Sequence, residues 1–169
     1  MSGFSDPTNK QWFVDSLEKV QPRTALDAGP GRGIYGSIIA SITPDCETTG
    51  VEIWEPYVKT YNLNQIYDHL VVGDIREHED FDFDLVIFGD IMEHMEASEA
   101  VALWEKSKEQ ARWGYLSIPI IHHPQEEIDG NPYERHIDED WSHERIMDSF
   151  VGIVDYKLFQ ITGTYLAKF

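Results

Sequence analysis

Three glycines within five residues, Gly29, Gly31 and Gly33, join the mostly apolar run TALDA to the helix-like stretch IYGSIIASI. Glycine lets the backbone turn through positive φ and lets a ligand approach the main chain without meeting a side chain. A strand that enters such a turn and leaves it as a helix presents unpaired N–H groups at the helix start, an arrangement suited to cradling a nucleotide. This feature restricts the chain to an α/β fold with a ligand at the carboxyl ends of its strands.

The rest of the sequence alternates in the same way. Asp6 and Pro7 suit the opening of a helix, in which Phe13, Leu17 and Val20 fall on one face. RTALDA reads as a first strand, CETTGVEI as a second and HLVVGD as a third, with helices predicted over 34–42 and 56–63 between them. FDLVIFGD is a near-continuous apolar run, the pattern of a strand buried on both faces of a parallel sheet. Ala100, Leu103, Trp104, Ser107 and Ala111 follow at helical spacing, and WGYLSIPI reads as a fifth strand. Residues 120–141 form a long polar loop rich in histidine, and 142–150 a last helix. VGIVDYKLFQ and GTYLAKF are separated too briefly for a parallel crossover, so they pair as an antiparallel hairpin. The expectation is one domain over residues 1–169: a doubly wound, Rossmann-like sheet of about seven strands ending in that hairpin.

Composition narrows the function classes. The formal net charge of −18 disfavours nucleic acid as a partner, because phosphate binding relies on Lys and Arg. No apolar run reaches the roughly 18 residues of a membrane span, and MSGFSDPTNK lacks the pattern of a secretory signal. Cys46 is the single cysteine, which excludes an intrachain disulfide and fits the cytoplasm.

The glycine turn departs from the dinucleotide-binding fingerprint. Ile34 stands where the third glycine belongs, and Asp27 would repel a pyrophosphate but welcome an ammonium group. That argues against a nicotinamide oxidoreductase. DAGPGRG, TGVEIWEPYV, VVGDI and FDLVIFGDIMEHM, taken in order with the closing hairpin, resemble the motifs of the class I S-adenosylmethionine-dependent methyltransferases, over nearly the whole chain. The resemblance implies S-adenosyl-L-methionine as cofactor. It also implies donor-binding positions at Asp27, Ala28, Gly29, Gly31, Gly33, Glu52, Ile53, Asp74, Ile75 and Asp90. Within it, Asp27 would orient the methionine ammonium, Glu52 would accept from both ribose hydroxyls, Asp74 would accept from the adenine amino group, and Trp54 with neighbouring aliphatics would sandwich the ring.

The acceptor side is less defined. His94 is the candidate base, just beyond the fourth strand. Asp90, Glu93 and His94 resemble the E-x-x-E-H pattern of metal-binding methyltransferases, to which His122, His123 or His136 would add a ligand. The shorter Asp at the first position weighs against it, and no metal is expected. GDIM stands where DNA base methyltransferases carry D/N-P-P-Y, which disfavours that activity. Residues 120–141 resemble a segment of small stand-alone bacterial and phage methyltransferases and are expected to form a substrate lid. His122, His123, Tyr133, Arg135, His136 and Trp141 supply its polar tips and aromatic area, with Tyr133 and His136 as catalytic candidates. The expected activity is methylation of oxygen or nitrogen on a small molecule or sugar; a non-catalytic donor-binding protein is the alternative.

Overall fold

The computed structural model describes residues 7–169; Asp6, read as a helix cap, lies outside the described residues. The chain runs α1 (Pro7–Val20), β1 (Thr24–Ala28), α2 (Ile34–Ile42), β2 (Glu47–Glu52), α3 (Glu55–Thr60), β3 (His69–Val72) and β4 (Leu85–Gly89). It continues α4 (Ala97–Lys108), β5 (Trp113–Pro119), α5 (His143–Ser149), β6 (Ile153–Leu158) and β7 (Thr162–Lys168). The seven strands form a single sheet in the order β3-β2-β1-β4-β5-β7-β6. The first five are parallel; β7 inserts antiparallel between β5 and β6, which realises the hairpin expected from the sequence.

Side-chain alternation divides the interior into two layers. On β4, Leu85 and Ile87 face α1 and α2, meeting Phe13, Leu17, Tyr35 and Ile39. Val86 and Phe88 face the opposite layer, with Leu103 and Trp104 of α4 and Phe150 just past α5. Both faces of β4 are therefore covered, which is why its sequence reads as unbroken apolar residues. The N-terminal helix keeps its predicted stripe: Phe13 and Leu17 are fully buried, and Val20 packs at the margin.

One helix boundary and one side chain differ from the sequence reading. Helix α3 ends at Thr60 rather than continuing to Leu63, because Asn62 takes a left-handed φ of 54° and the chain resumes as a 3-10 turn over Leu63–Gln65. Trp141 was expected to cover a substrate from the lid. It is instead 2% exposed and stacked on Phe150 with ring centroids 5.3 Å apart. It closes the core below the loop.

Central strands β1 and β4 end side by side, so the turn that follows each opens onto the same crevice.

Candidate active site

A cavity of about 650 Å³ lies along that crevice. Its inner half is built by the turn after β1, the end of β2 and the segment after β3. Gly29, Gly31, Glu52, Ile53, Asp74 and Ile75 all form its wall. Gly31 has φ of +54°, and a Cβ there would meet only the Gly29 carbonyl oxygen, at 4.0 Å; a side chain would therefore project into the cavity.

Glu52, at the end of β2, is nearly buried. Its Oε1 accepts from the Trp54 N–H at 2.8 Å and its Oε2 from the Gly31 N–H at 3.0 Å. Burial pushes its carboxyl up, and these two N–H donors oppose the shift. The carboxylate is thus fixed in orientation at the cavity wall. Asp74 is held differently. Arg76 grips it with its guanidinium, at 2.6 Å to Oδ2, and with its backbone N–H, at 2.9 Å to Oδ1, which holds the carboxyl below its ordinary range.

Four positions expected to touch a donor do not form the wall. Ala28 is fully buried in β1. Gly33, with φ of +73°, starts α2, where a Cβ would approach Ile66 to 2.6 Å, so its smallness serves packing against the next layer. Asp27 sits behind the turn, 2% exposed, and accepts a 2.5 Å hydrogen bond from the Tyr67 hydroxyl. Burial raises its carboxyl to about 7. Trp54 also lies outside the wall, its ring centroid 6.1 Å from that of Tyr133.

Lys10 was not singled out from the sequence. Helix α1 carries it across the crevice, where its Nζ is buried without a hydrogen-bond acceptor, 4.0 Å from Asp90 Oδ2 and 3.7 Å from the centre of the Tyr35 ring. Burial lowers the pKa of this ammonium, and Asp90 and Asp27 oppose that. Nothing in the local pattern of α1 marks it; only the packing of α1 beside α2 brings it to the site.

Asp90 divides the two halves of the cavity. It adopts a left-handed φ of 56° right after β4, and its Oδ1 accepts from Ser117 Oγ at 2.6 Å. Such backbone strain persists only where surrounding contacts enforce it. Beyond it the outer half is lined by Glu93 and His94 and by His123, Tyr133, Glu134 and His136 of the long loop. His122 and Arg135 point elsewhere: His122 pairs with Asp140 at 2.8 Å, and Arg135 with Glu126 at 3.2 Å, on the surface.

The loop is anchored at its base by the turn over Met92–His94. The Glu93 carbonyl oxygen accepts from the N–H groups of Ile137, at 2.8 Å, and Asp138, at 3.1 Å. Tyr57 of α3 adds a hydrogen bond to Glu134 at 3.0 Å. His94 and His136 thereby stand with ring centroids 4.9 Å apart. Burial lowers the pKa of both imidazoles, so both are neutral at pH 7.

Residues 26–108 match a family described as "Methyltransferase domain", a span that contains the glycine turn, Glu52, Asp74, Asp90 and His94. The chain carries a methyltransferase domain over this span. The glycine turn and the fixed carboxylate of Glu52 are features that suit S-adenosylmethionine as the methyl donor. A search of curated protein sequences finds no match. Among solved structures, a candidate O-methyltransferase from Nostoc punctiforme superposes with a TM-score of 0.72 at 17% identity. That match covers 96% of this chain and 56% of the Nostoc one, so this methyltransferase spans little more than half the length of that relative. An S-adenosylmethionine-dependent methyltransferase from Clostridium acetobutylicum gives 0.71 at 12% identity, covering 97% and 92% of the two chains. The N-terminal domain of EvdMO1 with S-adenosylhomocysteine bound gives 0.69 at 14% identity, covering 98% and 82%. At these identities the structural matches speak for the fold. No helix among the described residues is long and apolar enough to cross a membrane.

Proposed function

We propose that this methyltransferase transfers a methyl group to an oxygen or nitrogen of a small molecule or sugar, and that residues 1–169 act as one domain in doing so. The observation that carries the reading is the continuity of the cavity: one half offers a glycine turn and a fixed carboxylate, the other neutral imidazoles and a tyrosine.

In this reading the donor lies along the inner half. Glu52 receives its ribose hydroxyls, Ile53 and Ile75 flank its adenine, and Asp74 marks the adenine end. Lys10, a buried cation without an acceptor, faces its carboxylate. Asp27, one layer behind the wall, acts through the turn rather than by contact. Bound S-adenosylmethionine supplies a methyl carbon made electrophilic by the sulfonium. The acceptor atom forms its bond to that carbon as the carbon–sulfur bond breaks, and the protein's task is to align the two and exclude water. Asp90 holds the junction, Tyr133 and the long loop cover the acceptor, and neutral His94 or His136 takes up the proton it loses. An acidic chain of net charge −18 favours neutral or cationic acceptors over nucleic acid.

The test pairs binding with turnover. Purified protein is offered methyl-labelled donor and a panel of hydroxylic and amine metabolites, with DNA and RNA as controls. Release of S-adenosylhomocysteine with a small acceptor supports the reading. Joint substitution of Tyr133 and His136 by Ala should spare donor affinity and abolish that turnover. Methylation of DNA or RNA alone, or wild-type turnover by the double variant, would overturn it.

A further inference from the structure

We propose that Glu93, His94 and His136 form a divalent-cation site in the outer half of the cavity. Each offers one ligand atom, and these atoms all lie within 4.8 Å of one another. That spacing suits donors placed around a single ion.

Two observations beyond proximity point to a ligand. The first is Glu93 itself. Its side chain is 2% exposed, yet Oε2 is buried with no hydrogen-bond partner. A buried carboxylate without a partner is costly, and a cation is the partner that removes the cost. The second is the setting of the imidazoles. His94 donates Nδ1–H to the Arg135 carbonyl oxygen at 3.0 Å, and His136 donates Nδ1–H to the His123 carbonyl oxygen at 2.5 Å. Carbonyl oxygens only accept, so the His136 proton resides on Nδ1 and its Nε2 carries a lone pair; His94, with the Asp90 carbonyl as well as that of Arg135 beside its ring, offers its Nε2 lone pair in the same tautomer when a cation is bound. A backbone acceptor that fixes the tautomer and the ring plane is the support metal-bound histidines ordinarily have.

The donor set, two neutral imidazoles and one carboxylate, belongs to Mn²⁺, Fe²⁺, Co²⁺ or Zn²⁺ rather than to Ca²⁺. Three protein ligands leave positions open, and the ligands line the cavity, so an oxygen of the acceptor is what those positions would take. The proposal deepens the acceptor side of the proposed function and rests on it only there. A histidine lone pair cannot serve both an ion and the acceptor's proton, so the cation replaces the free-base role of both His94 and His136, and the acceptor, acidified by the ion, releases its proton to water. It also departs from the metal-free expectation drawn from the sequence. There the fourth position of the pattern was open among three histidines, and the loop fold selects His136.

The experiment is a titration of metal-stripped protein with Mn²⁺, followed by the loss of the free-ion electron paramagnetic resonance signal, with Zn²⁺ as competitor. The wild type should take up one ion per chain. Glu93→Gln and His136→Ala should each weaken uptake at least about a hundredfold. Calorimetry with S-adenosylhomocysteine shows whether each variant is folded, because the donor half is separate; if Glu93→Gln does not fold, His136→Ala on the loop decides. No uptake below about 1 mM by the wild type, or equal uptake by a folded variant, overturns the site. Turnover by metal-stripped protein would reject the cation while leaving the methyltransferase reading intact.

Discussion

Glu52 uses two of its lone pairs to hold the backbone that surrounds it, at Trp54 and Gly31, and so enters donor binding already oriented. Charge-assisted hydrogen bonds donated to a preset carboxylate contribute about 1.5–3 kcal/mol. Glu52→Ala should therefore lower affinity for S-adenosylhomocysteine roughly ten- to hundredfold, read by calorimetry on a variant whose circular dichroism is unchanged. Asp27 carries a different consequence. Its carboxyl ordinarily titrates at 3.8 and in the fold is raised to about 7, chiefly by burial. Between those values the folded chain keeps a proton that the unfolded chain has released. Its contribution to stability therefore falls as pH rises from about 4 to about 7, and does not recover above. Asp27→Asn removes that dependence. Unfolding free energies from urea melts, taken as mutant minus wild type, should climb across this window; a constant difference would mean the carboxyl titrates normally.

The long loop from 120 to 141 behaves as a structural element, although it contains only a short 3-10 turn at Pro132–Glu134. Its far end is clamped by Arg145, whose two NH groups reach Asp138 Oδ1 at 2.9 Å and Oδ2 at 2.6 Å while its guanidinium lies 4.2 Å from the centre of the Trp141 ring. Arg145→Ala should loosen 120–141, seen as faster amide exchange there with α4 and β4 unchanged. Equal protection in the variant would show that the contacts at the base of the loop, the Glu93 carbonyl and Tyr57 among them, hold it without Arg145. This element also shows how far the sequence could be read. The alternating strands and helices were legible because β1 and β4 are buried on both faces and α2 is framed by a glycine turn. Gly29, Gly31, Glu52 and Asp74 were legible because a strand end fixes where each must emerge. Lys10 and the partnership of His136 with His94 were not, because tertiary packing alone brings them together across long stretches of chain. Trp141 was misread because an aromatic after a polar loop looks the same whether it caps a ligand or the core.

At the scale of the whole molecule, a net charge of −18 works against compaction. Screening relieves that repulsion, so raising NaCl from about 0.05 M to about 0.5 M should raise the melting temperature by on the order of 2–4 °C. A calorimetric scan showing no change would mean that the ion pairs across the surface, such as Arg76 with Glu99, are lost to salt as fast as the repulsion.

The position of β7 has a consequence for synthesis on the ribosome. Strand β6 leaves the exit tunnel before β7, yet among the described residues β7 is the strand it pairs with. Until residues 162–168 emerge, the open side of β5 and the whole of β6, with Val154, Tyr156 and Leu158 exposed, have no partner in the nascent chain. The parallel half of the sheet can assemble during translation, whereas the other half must wait for its middle strand. During that interval the growing chain presents two unsatisfied strand edges, the surfaces through which nascent polypeptides aggregate or are taken up by chaperones.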